Sequence, residues 1–265
     1  MAMVEHDRTF DLARHIDEIE RDGFSIVPDV VDADEVATFR TEVLEALDRE
    51  WAECEGMPGK QYFIVLELIR QSAAARRLLE NERMHDVLSH FLGESCVLYA
   101  STSTVIIPEV EQYTCNIHTD TPRLVPGYHM GMLMTLALDD FTNDNGATWY
   151  LPGSHLRADK PSAEEFYDLA VRVVRRAGDA VFFLPTVWHA GGVNRTDQTR
   201  VGATMYACRA FMKQRFDYPR LLDTSLLEGV GPVGRRFLGF DARVPTSMDE
   251  FYREPEDRLY KPNQG

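Results

Sequence analysis

Cys96-Val-Leu-Tyr-Ala-Ser-Thr-Ser-Thr-Val-Ile-Ile107 decides how the chain is read, because here helical periodicity gives way to a run of strand-forming residues. β-Branched and aromatic side chains pack well on a pleated surface and are enriched in strands. Further stretches of this character lie at 132–138, 148–151, 180–184 and 201–211. Turn-forming residues at 143–146, 152–154 and 191–194 separate them. Short strands punctuated by turns predict a jelly roll in the second half of the chain.

Upstream, Leu12, Ile16 and Ile19 recur at helical spacing before Gly23, so a helix is expected over 9–22 and a short strand over 24–27. Asp32 with Glu35 three residues on reads as a helix start. The Val36, Phe39, Val43, Leu47 and Trp51 stripe gives that helix its buried face. Helical signals return over 72–92. The expected class is therefore mainly β with flanking helices. Residues 55–62, with Gly56, Pro58 and Gly59, read as a loop and a candidate lid. The tail after Arg220, with Pro232, Pro245, Pro255 and Pro262, reads as extended chain packed on the rest. The 265 residues suit one domain, 1–265, with a core over about 12–212 and an extension over 213–265.

A formal charge of -15 disfavours nucleic acid, whose phosphates call for clustered Lys and Arg. No apolar run reaches membrane-spanning length, and Met1 to Phe24 lacks the apolar centre of a signal peptide. Cys54, Cys96, Cys115 and Cys208 are scattered without a CxxC pair, as expected of reduced thiols in a cytoplasmic protein. The partner to expect is a small-molecule substrate, and the protein a monomer or homodimer.

Chemistry concentrates at Cys115-Asn-Ile-His118-Thr-Asp120. In extended chain, residues i and i+2 share a face, so His118 and Asp120 can reach one ion. Such a triplet means little without a third ligand. His129, His155 and His189 are the histidines of the β-rich region. His155 sits in the turn Leu151-Pro-Gly-Ser-His155, where bonding to nearby backbone is the simpler role. His189 closes the strand-like run from Ala180 to Trp188 and precedes Gly191-Gly192, a place where a ligand is held rigidly. Two histidines and one carboxylate leave the remaining positions of a metal open, as in non-haem Fe(II) oxygenases, whereas a structural zinc site is closed by a fourth ligand. Arg200, 11 positions after His189, opens the strand-like 201–211 and suits a carboxylate bound through two hydrogen bonds.

The ordered set His118-x-Asp120, Asn145-Gly146, Pro152-Gly-Ser-His155, His189, Asn194 and Arg200 resembles the phytanoyl-CoA dioxygenase family of Fe(II)/2-oxoglutarate oxygenases. The opening from Ile19 to Val31 and the helix at Glu35 are similar too, so the likeness spans roughly 12–212. The resemblance implies a double-stranded β-helix of cupin-like, jelly-roll form. It implies Fe(II) held by His118, Asp120 and His189, Arg200 on the far carboxylate of 2-oxoglutarate, and O2 as co-reactant with release of succinate and carbon dioxide. Asn116, on the face of His118, and Thr148 are further candidates for the cosubstrate carboxylates. Asp120 stands where related halogenases carry a small residue, which disfavours halogenation.

Tyr62, Phe63, Tyr113, Arg123, Tyr128 and Trp149 are candidates for substrate contact. No basic patch favours a coenzyme-A thioester, and the acidic balance points away from a highly anionic substrate. A natural-product or amino-acid-like intermediate, most simply hydroxylated, is the expected substrate. A cupin-like isomerase or hydrolase that ignores oxygen is the alternative, and it leaves Arg200 without a cosubstrate. A jelly-roll binding module without catalysis is a further alternative, and it predicts no metal requirement.

Overall fold

The computed structural model describes residues 8–54, 57, 63–110, 112–121 and 123–260. The Asp11 side chain accepts from the backbone N–H of Arg14 and so starts helix α1, Leu12–Asp22. Gly23 ends it in the left-handed conformation. A Cβ there would come within 2.3 Å of Val187, so the position needs glycine for the turn and for the close approach alike. Strand β1, Phe24–Val27, follows at once.

Helix α2, Ala33–Cys54, begins where the sequence predicts, with the Asp32 carboxylate accepting from the Glu35 N–H at 2.8 Å. Helices α3, Leu68–Gln71, α4, Ala73–Leu78, and α5, Glu82–Leu92, come next. The helical region expected over 72–92 is broken in the middle because Asn81 acts as a cap, its side chain accepting from the Met84 N–H. The expected loop over 55–62, and Tyr62 with it, lies outside the described residues apart from Met57.

The β-rich half supplies β2, Val97–Ile106, β3, Gly131–Ala137, and β4, Trp149–Tyr150. After helix α6, Ala163–Leu169, come β5, Val171–Arg172, β6, Ala180–Phe183, β7, His189–Ala190, and β8, Arg200–Cys208. All pairings are antiparallel, in a five-stranded sheet ordered β1-β6-β3-β8-β2 and a three-stranded sheet ordered β5-β4-β7. A cavity lies between the two sheets, as in the jelly roll expected from the strand pattern. Helix accounts for 36% and strand for 20% of the structure. The strands build its centre and the helices flank it.

Strand alternation assigns the two faces of the large sheet. On β8, Arg200, Gly202, Thr204 and Tyr206 face the cavity. Val201, Ala203, Met205 and Ala207 instead join the core with Val36, Phe39 and Val43 of α2 and Met84 and Leu88 of α5. Each fully buried apolar side chain stabilises by about 1.5–3 kcal/mol. The helices thus brace the sheet from behind and leave its other face to line a site.

The tail differs from expectation. In place of extended chain it forms short helices α7, Tyr218–Leu221, α8, Pro232–Phe237, and α9, Met248–Phe251. Pro232 is compatible with this because it opens α8, where its missing N–H has no intrahelical acceptor to lose. Tyr218, Phe237 and Leu238 are buried against the core.

Phe39 is 1% exposed at the helix–sheet contact. Phe39→Ala should therefore lower unfolding stability by about 3–5 kcal/mol, read from the urea midpoint. A change under about 1 kcal/mol would show that α2 does not brace the sheet as described.

Candidate functional site

His118 and His189 are opposed across an antiparallel bridge and exchange both backbone hydrogen bonds, at 3.0 and 2.9 Å. Directly opposed residues project to one face. Tyr150 is the partner of His189 on its other side, so Tyr150, His189 and His118 form one row. Asp120 lies two residues beyond His118, and its backbone N–H donates to the Pro185 carbonyl at 2.9 Å, as does that of Thr121 at 3.1 Å. The 183–190 segment therefore holds all three side chains.

Each imidazole is oriented from behind. His118 Nδ1 lies 2.7 Å from the Asn116 carbonyl, and His189 Nδ1 lies 3.0 Å from that of Val187. A carbonyl can only accept, so both Nδ1 atoms carry the proton and both Nε2 atoms present a lone pair. His118 Nε2 lies 3.8 Å from one Asp120 carboxylate oxygen and His189 Nε2 lies 3.6 Å from the other. One ligand atom from each residue falls within 4.8 Å of the others, a spacing that one metal ion can bridge. Burial lowers the pKa of His189 against the opposing pull of Asp120, which favours the neutral, ligating form. The Tyr150 ring stacks on His189 at 5.6 Å, and Phe183 meets it edge-on at 5.3 Å. This aromatic packing fixes the His189 ring.

The cavity has a volume of about 440 Å³ and includes all three residues. Its deep end is Arg200, 4% exposed. The guanidinium donates to the Gly146 carbonyl at 2.9 Å and lies 3.9 Å from the centre of the Phe141 ring. Its Nε has no partner, and among the described residues no carboxylate stands in ion-pair range. Burial, then repulsion from Arg175, pushes Arg200 down to about 9, the mark of a buried cation short of an anion. Gly146 adopts φ +85, and a Cβ there would lie 2.4 Å from the Gly192 carbonyl. Only glycine lets this turn reach Arg200.

The other residues of the sequence motif hold the frame. Asn145 accepts from Thr142 N–H at 2.7 Å and donates to the Asp140 carbonyl at 2.6 Å. Asn194 donates to the carbonyls of Ile106 and Gln198 and accepts from Thr196, closing the turn between His189 and Arg200. The Ser154 hydroxyl donates to Leu151 and accepts from the Trp188 N–H. His155 is buried and bonds to the Glu20 carbonyl at 3.2 Å, tying the turn to α1 and away from the triad.

Of the remaining candidates, Thr148 and Tyr113 line the cavity. Asn116 is placed differently. Its exposed side chain donates to the Tyr113 carbonyl at 2.9 Å, because a 3-10 turn, not a strand, precedes His118. Its contribution is the backbone carbonyl that orients His118. Phe63, Arg123, Tyr128 and Trp149 are not among the cavity-lining residues. Trp149 packs under Arg172 at 4.5 Å and Tyr128 under Arg209 at 4.2 Å. Sequence reasoning missed Tyr99, Thr102, Thr104, Thr135, Thr204, Tyr206 and Arg215 on the wall. Alternation along 97–106 and 200–208, phased by Arg200, was the signal that identifies Thr102, Thr104, Thr204 and Tyr206, whereas Tyr99 falls out of phase at a β-bulge between Leu98 and Ala100.

The family description for phytanoyl-CoA dioxygenase matches residues 19–202. The chain is similar to an uncharacterized protein of Mycobacterium tuberculosis, 30% identical over 92% of each chain. It is also similar to dioxygenase cdmA of Talaromyces verruculosus, 27% identical over 86% of this chain and 83% of that one. In fold it is similar to EctD from S. alaskensis, solved with 2-oxoglutarate and 5-hydroxyectoine, with a TM-score of 0.64, 21% identity and 78% of each chain covered. With the triad geometry and the match over most of its length, the chain belongs to the phytanoyl-CoA dioxygenase family, as an enzyme that uses Fe(II), 2-oxoglutarate and O2.

Proposed function

We propose that this oxygenase hydroxylates a small organic substrate, with His118, Asp120 and His189 holding the iron and Arg200 gripping the far carboxylate of 2-oxoglutarate. The observation that carries the reading is the buried Arg200, short of an anion in the cavity that holds the triad. A guanidinium taken out of water needs compensation, and a carboxylate accepting two parallel hydrogen bonds supplies it. EctD, similar in fold, contains 2-oxoglutarate in its solved structure, which supports the same cosubstrate site here.

When bound, iron supplies the oxidising chemistry, coupling loss of carbon dioxide from 2-oxoglutarate to attack on a substrate C–H bond. The protein's share is positional. Backbone carbonyls keep both Nδ1 atoms protonated and both Nε2 atoms available. Phe141, held between Arg200 and Arg175 at 3.9 Å from each, fixes the plane of the guanidinium. Thr148 offers a hydroxyl in the same cavity for the cosubstrate. Tyr150 and Phe183 keep water from the rear of His189. The relatives include named fungal dioxygenases, which supports a natural-product or similarly small substrate. All four cysteines are free, which supports a reducing, cytoplasmic setting.

Arg200→Gln should weaken 2-oxoglutarate binding by roughly 10- to 100-fold while iron is retained, from the strength of a charge-assisted pair. Calorimetry on the iron-loaded protein measures it, and unchanged affinity would remove Arg200 from the site. Asp120→Ala should lose Fe(II) affinity by more than the roughly 10–100-fold that removal of an outer-shell partner causes. His155→Ala should keep the metal. Equal iron retention by the two variants, measured by metal analysis after dialysis, would contradict the triad.

A further inference from the structure

The cavity has a second cation that neither the triad nor the cosubstrate site uses. Arg215 lines it, its backbone N–H donating to the Tyr99 carbonyl at 2.9 Å and its guanidinium lying 5.7 Å from the centre of the Tyr99 ring. A minority of the arginines are held by carboxylates among the described residues. Arg40 pairs with Asp139, Arg77 with Glu35 and Arg157 with Glu165. Arg215 has no such partner among the described residues.

Its surroundings suit a ligand. The Tyr99 and Tyr206 rings pack at 4.9 Å on the cavity wall, and neither hydroxyl has a hydrogen-bond partner among the described residues. Met212 and Leu66 add apolar surface. Tyr206 lies six residues along β8 from Arg200, 206 minus 200, which at about 3.3 Å per residue is roughly 20 Å of strand. One five-carbon diacid cannot engage both ends.

Charge balance then points one way. Arg200 and the iron together are neutralised by Asp120 and the two carboxylates of 2-oxoglutarate. Asp120 is the only acidic residue among the described cavity-lining residues, so Arg215, whose side chain is exposed to water, has no carboxylate beside it in the cavity once the cosubstrate is in place. The acidity of the chain as a whole does not reach the cavity.

We propose that Arg215, with the Tyr99 and Tyr206 hydroxyls, binds an acidic group of the primary substrate, which is a monoanion with an apolar body. This inference rests on the assignment of Arg200 and the triad above. The acidic group is held at the outer end, so the apolar body extends inward past Tyr206 toward His118 and Asp120. Arg215 is a binding residue that selects and orients the substrate.

The test uses the full chain loaded with Fe(II) and saturating 2-oxoglutarate without oxygen, so that Arg200 is occupied. Alkyl- and aryl-carboxylates and their matched primary amides, 3-phenylpropanoate and 3-phenylpropanamide among them, are titrated by calorimetry into wild type, Arg215→Gln and Arg215→Lys. Carboxylates should bind roughly tenfold more tightly than their amides in the wild type, from the strength of a charged hydrogen bond. Arg215→Gln should abolish that preference. Arg215→Lys should keep part of it, since it retains the charge and loses the planar fork. No preference in the wild type, or one that survives Arg215→Gln, overturns the inference. Failure of 2-oxoglutarate itself to bind the iron-loaded wild type would instead overturn the reading of Arg200, and this inference with it.

Discussion

The two backbone hydrogen bonds exchanged by His118 and His189, at 3.0 and 2.9 Å, are the constraint on which the site depends. They join two segments 71 positions apart, 189 minus 118, and put both imidazoles on one face. Around them the remaining contacts follow in order. Pro185 receives the Asp120 and Thr121 N–H groups, Leu184 donates to the Gly23 carbonyl, and the Val187 carbonyl orients His189. The segment from 183 to 190 thus connects β1, the triad and both sheets. A jelly roll provides such a place because its two sheets approach closely enough for short strands to pair across their edges.

The same economy explains the motif residues that touch no ligand. Asn145, Ser154, His155 and Asn194 direct their polar groups to backbone carbonyls and amides, and the Gly146 carbonyl accepts from Arg200. Buried turns leave backbone groups unpaired unless side chains answer them. Their recurrence in order is therefore a signature of the frame, and His118, Asp120, His189 and Arg200 are the groups that frame holds ready.

Much of this was legible in the sequence. The i, i+2 spacing of His118 and Asp120, the strand ending at His189 and the position of Arg200 are local patterns, and local patterns survive folding. The caps at Asp11 and Asp32 are legible for the same reason. Asn116 was misread because it caps a 3-10 turn and its side chain bonds back to the Tyr113 carbonyl, away from the cavity lining. Trp149 and Tyr128 were misread because an aromatic residue near a motif gives no sign of which side it faces, and both are covered by arginines. Arg215 was invisible because nothing local tells an arginine at a cavity mouth from one on the surface.

The central claim is that one cavity binds iron through His118, Asp120 and His189 and then binds 2-oxoglutarate on it. An anaerobic optical titration tests this most directly: Fe(II) is added to the metal-free protein, then 2-oxoglutarate, while the weak visible charge-transfer band of the chelate is followed. The account predicts that the band grows to saturation in the wild type and is lost in His118→Ala. Iron binding with no band in the wild type, or a band of full intensity in His118→Ala, would contradict it.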